Sequence, residues 1–264
     1  MKGFDNNQTT KTWDELYYSD PLSLQFYDMS ISRVLSLLNT KPGDKVLDAG
    51  CGAGVHAIRV AKLGCHVDAI DFSTAALDDA RSRAIDAGLA DDIAFSQEDL
   101  TQLSFASDSY DNIFSWGVLI HIPEIEKALD ELARILAVGG RLALYVSNHT
   151  ALQLIPKRMR RRFGIQKSEM QRLPFGYAIR VELHGEPIWV WFNDVPAIVR
   201  HLEKRGLKLV TRQPGEFSDF HLRFSGIRKR LLLRLNNFWF RNKLPASWAQ
   251  MNLIVFEKKT NSLS

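Results

Sequence analysis

Three glycines at alternate positions, Gly50, Gly52 and Gly54, follow the apolar pair Val46-Leu47 and an acid, Asp48, with Cys51 inside the turn. Glycine lets a backbone approach a bound group with no Cβ in between. Helical spacing resumes at once from Val55 to Leu63, so the unpaired N–H groups of a helix start stand behind the turn. That arrangement cradles a polar small molecule. The dinucleotide fingerprint G-x-G-x-x-G needs its third glycine at position 55, where Val55 stands, and Asp48 would meet a pyrophosphate with like charge.

A ligand with an amino group and a single carboxylate suits this loop better. S-adenosylmethionine has both, and a sulfonium cation besides. Asp71 closes the next apolar run, His66 to Ile70, about twenty residues past the turn, where an acid can accept both ribose hydroxyls; starting the following helix is its other reading. Phe72 is placed to lie along the adenine face. Gln97-Glu98-Asp99-Leu100 follows the third strand, and Asp99 is the acid expected to take the adenine amino protons, Glu98 pointing the other way by strand alternation. A solvated loop acid is the alternative for Asp99. His121, just past the fourth strand, is the candidate for a proton step, its plain reading being a residue packed under the next helix.

The elements that position these residues alternate. Strands are expected at 46–47, 66–70, 93–96, 110–116 and 141–146, with helices at 55–63, 73–87 and 125–138, the last stopping at Gly139-Gly140. Helical spacing in 13–18 and 24–38 precedes the first strand and is expected to cross the cofactor mouth. Such alternation makes a doubly wound, mostly parallel α/β sheet with ligands at the carboxyl ends of its strands.

Val46 to Gly54, with Asp71, Asp99, the Tyr110-Asp111 strand and Leu136 to Leu142, resembles the class I S-adenosylmethionine-dependent methyltransferases over roughly residues 40–147. The resemblance implies a seven-stranded Rossmann-like fold and this cofactor. Through it Asp48 and the glycine turn, Cys51 included, hold the methionine part, Asp71 the ribose, and Asp99-Leu100 the adenine. Ser115 and Trp116 supply contact near the sulfur. Val138 stands where the family often has proline. Neither an Asn/Asp-Pro-Pro-aromatic turn nor a cysteine follows the fourth strand, which disfavours amino-group base chemistry and covalent pyrimidine chemistry.

Beyond residue 147 the chain outgrows the minimal fold. Residues 1–40 are read as helices over the cofactor mouth, 41–147 as the cofactor-binding core, and 148–192 as a substrate-cap insertion. Residues 193–264 complete the fold around a basic insertion at about 212–250. Asn193 is expected to cap a helix, and 180–192 to form a hairpin about His184-Gly185.

Residues 1–150 carry 12 Lys/Arg against 22 Asp/Glu, a balance of −10, while 151–264 carry 22 against 8, a balance of +14. This asymmetry, with the run Lys157 to Arg162, points to an anionic acceptor, small or lipid-linked. On a helical wheel of 228–243, Leu231, Leu232, Leu235, Phe238 and Trp239 share a face that Leu233 and Phe240 spoil. A packed helix with a solvated basic rim and a peripheral membrane contact both fit it. From the polar N-terminus and the lack of a long apolar run, a cytoplasmic chain is expected, or one peripheral at the inner membrane surface. Two cysteines offer no metal spacing. The expected activity is methyl transfer to a small-molecule or lipid-linked acceptor, O-methylation slightly favoured. RNA methylation and non-catalytic cofactor binding are the alternatives, nucleic acid being disfavoured as a partner because no RNA-binding module is discernible.

Overall fold

The computed structural model describes residues 12, 14–18, 20–156, 170–183 and 186–259. Trp13, the basic run 157–162 and the hairpin tip His184-Gly185 lie outside the described residues. Helix α1 (Pro21–Leu38) starts behind Asp20, whose carboxylate accepts the Leu22 N–H at 2.9 Å, and ends at Asn39 in the left-handed region, φ 63°. There follow β1 (Lys45–Ala49), α2 (Val55–Lys62), β2 (His66–Asp71), α3 (Thr74–Asp86), β3 (Ile93–Gln97), β4 (Tyr110–Trp116), α4 (Ile125–Ile135) and β5 (Leu136–Ser147). An antiparallel trio comes next, β6 (Gln171–Leu173), β7 (Gly176–Leu183) and β8 (Glu186–Asn193). The chain then completes the main sheet with α5 (Val195–Lys204), β9 (Leu207–Pro214), α6 (Gly226–Arg241) and β10 (Met251–Lys258).

The seven-stranded sheet runs β3-β2-β1-β4-β5-β10-β9, with β10 antiparallel to both of its neighbours. Chain direction across the sheet reverses between β1 and β4, the switch point at which doubly wound sheets open a crevice. Strand alternation sends Leu47 into the core that α4 and α5 cover with Leu129, Leu132 and Ile198. Its neighbour Val46 joins the opposite core, with Ile31, Val60 and Leu77 from α1, α2 and α3.

Three local expectations are corrected. Helix α4 ends at Ile135, and Leu136 already pairs with Tyr110 before the register shifts to Asn112 beside Arg141. The glycines at 139 and 140 serve that approach: a Cβ on Gly140 would lie 2.8 Å from the Asp111 carbonyl oxygen. Asp194, not Asn193, caps α5, its carboxylate accepting the Ala197 N–H at 3.1 Å; Asn193 is buried and its side-chain oxygen takes the Ser147 hydroxyl at 2.8 Å.

Helix α6 presents the reverse of the face that its leucine spacing selects. Leu233, Asn236, Asn237 and Phe240 are buried, while Leu231 and Phe238 are 58% and 57% exposed. The inner face is chosen by hydrogen bonds and one ring. Asn236 receives the Ser218 N–H at 3.1 Å and donates to the Ser218 carbonyl at 3.0 Å, Asn237 donates to the Leu22 carbonyl at 3.4 Å, and Phe240 meets Phe26 edge-on at 5.2 Å.

Candidate functional site

A cavity of about 510 Å³ opens along the carboxyl ends of the parallel strands. Its floor is the turn after β1. Gly50 and Gly52 sit at φ 91° and 51°; a Cβ on Gly50 would strike the Val118 methyls at 2.4 Å, whereas one on Gly52 would meet nothing within 4 Å. Gly50 therefore permits a close crossing, and Gly52 leaves the floor open to a ligand. Gly54, at φ 73°, starts α2, and its missing Cβ admits Ala80 of α3 at 2.9 Å. It packs helices and does not line the cavity.

Asp71 holds this floor together. Its Oδ2 accepts the Gly52 N–H at 2.9 Å and its Oδ1 the Ser73 N–H at 3.0 Å, while Ser73 itself caps α3 through Ala76. Asp71 thus serves the start of α3, and a carboxylate has acceptor capacity beyond two amides. Asp48 lies beneath, 1% exposed, taking the Ala57 N–H; its Oδ2 is buried with no hydrogen-bond partner among the described residues. Burial, and then the Asp71 charge, hold the Asp48 carboxyl well above the ordinary range. A negative charge on Asp48 beside that of Asp71 is favoured by a positively charged ligand with hydroxyl donors. A sulfonium, an ammonium and a ribose answer that demand, so these residues fit S-adenosylmethionine.

Cys51, Phe72, Leu100 and Trp116 also line the cavity. Ser115 does not: it is buried, and its hydroxyl donates to the Ala49 carbonyl at 2.8 Å, tying β4 to the end of β1. Asp99 is exposed and lies outside the wall, its Oδ1 accepting both the N–H and the hydroxyl of Thr101 at 2.8 Å. Glu98 lines the cavity instead, with its carboxylate held by Ser104. Strand β3 stops at Gln97, so the alternation that would turn Glu98 away no longer applies there.

His121 reaches the same cavity. Its Nδ1 is 2.9 Å from the Trp189 carbonyl oxygen, which can only accept, so Nδ1 carries the proton and Nε2 the lone pair. Burial lowers its pKa to about 4 against the opposing pull of that carbonyl.

Several lining residues escaped the sequence reading. His56, second in α2, is 6% exposed, with Nε2 3.4 Å from the Tyr18 hydroxyl and its ring near Tyr27 and Trp116; burial and then Arg59 lower its pKa to about 3. Tyr145 stacks on Trp116 at 3.7 Å and 4°, and its phenol oxygen accepts the Glu216 N–H at 2.9 Å. Burial, and then Asp219, raise the Glu216 pKa to about 8. An inward aromatic at the carboxyl end of β5 was a legible signal for Tyr145. Glu216 and Asp219 are the only acids of 212–250, and both line the cavity. Val181, Ile188 and Val190 of the three-stranded sheet supply an apolar wall, and Trp191 pins that sheet by donating its ring N–H to the Ile122 carbonyl at 2.8 Å. Among the described lining residues there are four acidic side chains, Asp71, Glu98, Glu216 and Asp219, and no Lys or Arg.

Residues 46–140 match the family model described as "Methyltransferase domain". The chain is similar to Methyltransferase GfsG of Streptomyces halstedii, 34% identical over 142 residues, which are 53% of this chain and 51% of that protein. It is also similar to Sterol 24-C-methyltransferase ERG6B of Gibberella zeae, 33% identical over 109 residues, 41% of this chain and 29% of that protein. The chain thus spans about half or less of the length of these curated relatives. In fold it matches the crystal structure of a putative S-adenosylmethionine-dependent methyltransferase from Listeria monocytogenes. The TM-score is 0.62 at 17% identity, over 91% of this chain and 100% of that one.

Proposed function

Because residues 46–140 make this chain a member of the class I S-adenosylmethionine-dependent methyltransferases, we propose that it methylates a small, largely apolar acceptor, with oxygen the favoured accepting atom. The observation that carries this reading is the floor built on Asp71 and the orphaned oxygen of Asp48, facing an apolar wall across one cavity. The cofactor supplies a methyl carbon that its sulfonium makes electrophilic, open to in-line displacement.

The chain's own residues would then position and dry the site. Gly50, Cys51 and Gly52 would hold the methionine part above Asp48, Asp71 would take the ribose hydroxyls, and Phe72 and Leu100 would flank the adenine. Asp99 reaches the adenine amino group only if its hold on Thr101 is exchanged. His121, fixed through Nδ1, offers Nε2 to a departing acceptor proton. Val181, Ile188 and Val190 exclude water, which gives 148–192 its part as a substrate cap.

Four acidic side chains, of which Glu216 keeps its proton up to about pH 8, and no described Lys or Arg in the lining favour an uncharged or cationic acceptor over the anionic one that the basic second half suggests. The sterol methyltransferase among the relatives supports an apolar acceptor body. Peripheral contact with a membrane through 228–243 is independent of this reading.

Calorimetry with S-adenosylhomocysteine, followed by transfer of labelled methyl into a cell extract fractionated by solubility, tests it. We expect binding and a label in the organic-soluble fraction. Absence of heat at millimolar ligand overturns the cofactor site, and binding without any labelled acceptor leaves a non-catalytic binder.

A further inference from the structure

Six of the twelve large hydrophobic side chains exposed among the described residues fall between 224 and 248. Four of them lie on α6: Ile227 (76% exposed), Leu231, Leu235 and Phe238. At 100° per residue they share an arc of about 80°, a single stripe along the helix. Arg230, Arg234 and Arg241 form a row beside the stripe, and Arg228 stands on its other side. No acid occurs from Gly226 to Arg241, and the exposed Phe224 and Trp248 flank the helix in sequence.

The helix needs none of this stripe to stay on the domain. Asn236 is bonded twice to Ser218, Asn237 reaches Leu22, and Phe240 packs on Phe26, all from the opposite side. Within 212–250 the charges are sorted: both acids line the cavity, while Arg228, Arg230, Arg234 and Arg241 are exposed. Among the described residues no helix is long and apolar enough to cross a membrane, so a lipid contact here would be made in the plane of the surface.

We propose that α6 is a docking surface for an anionic lipid bilayer, with Ile227, Leu231, Leu235 and Phe238 entering the headgroup boundary and Arg230, Arg234 and Arg241 meeting lipid phosphates. A second copy fits the stripe poorly, since two such faces bring their arginines together with no acid to pair them. Nucleic acid would engage the arginines and leave the apolar stripe in water. The docking rests on α6 itself; only the further step, that the apolar acceptor is drawn from that bilayer, rests on the methyl-transfer reading.

Flotation of the full chain with phosphatidylcholine vesicles, with and without about one third phosphatidylglycerol, tests the docking. We expect flotation with the anionic vesicles at low salt and little with phosphatidylcholine alone. Arg230→Gln/Arg234→Gln/Arg241→Gln should lower partitioning about a hundredfold, at roughly fivefold per arginine, and Leu231→Asp/Phe238→Asp should abolish it, with circular dichroism unchanged. Failure of the wild-type chain to float, flotation that both variants retain, or a dimer that Leu231→Asp/Phe238→Asp splits would each overturn the proposal. Calorimetry with S-adenosylhomocysteine on the same samples keeps the two readings apart: heat without flotation sinks the docking alone, and flotation without heat sinks the cofactor site alone.

Discussion

The cavity floor and the 212–250 insertion resolve the same question, which side of an element faces inward, by opposite means. In the floor, backbone geometry decides. A strand end, a glycine crossing at φ 91° and a helix start leave Asp48 and Asp71 one place each, and their side chains follow. In α6 the backbone is a plain helix that could be turned either way, and two asparagines settle the matter by bonding Ser218 and Leu22. Apolar spacing is a sound guide to a buried face only when nothing polar on the other face has a better partner.

The strongest blow to this contrast would come from Asp71→Ala. It unpairs the Gly52 and Ser73 amides as well as removing the proposed ribose acceptor, so cofactor affinity should fall roughly a hundredfold, at about 1.5–3 kcal/mol for a hydrogen bond to a charged group. Calorimetry with S-adenosylhomocysteine reads it, and unchanged affinity would mean that the floor is not built around this acid. His121→Ala should lower turnover by about a hundredfold, a typical contribution from proton transfer, with cofactor affinity nearly unchanged. With a pKa of about 4, His121 adds no limb of its own to the wild-type rate between pH 5 and 8. Wild-type-like turnover would leave it as a packing residue held by Trp189.

On the α6 side, Asn236→Ala leaves the Ser218 N–H unpaired and its carbonyl with His221 alone, and should cost about 2 kcal/mol. Leu231→Asp on the outward face should stay within about 0.5 kcal/mol. Urea midpoints at constant slope compare them, and the reverse ranking would return the leucines to the inside. The effect of Glu216→Gln should appear only as pH rises. Folded Glu216 keeps its proton up to about pH 8, whereas the unfolded chain releases it near the ordinary carboxylate value, so its burial removes stability as pH rises between the two. The variant should therefore melt about a few degrees higher than wild type at pH 8 and equal to it near pH 4. Equal melting at both pH values would show that the acid is solvated.

Much of this was legible beforehand. The parallel core from Lys45 to Ser147 appears with its strands in the expected places, because apolar runs of strand length bounded by glycine and proline have few other uses. Local chemistry misled where two neighbours could serve equally, as at Asn193 and Asp194, or where a regular element ended sooner than its pattern, as at Glu98-Asp99 and Gly139-Gly140. Tyr17, Tyr18, His56, Tyr145 and Glu216 could not be assembled into one wall from sequence, since up to 199 positions separate them along the chain.

The amino-acid order alone determined the fold class, the glycine cradle and the acid that closes the second strand, because each depends on contacts within a few residues. Tertiary structure alone decided that the lining carries acids and no described Lys or Arg, and that α6 turns its arginines with Leu231 and Leu235 outward. Those outcomes depend on which partners distant segments find, and burial and hydrogen bonding are settled only when the segments meet.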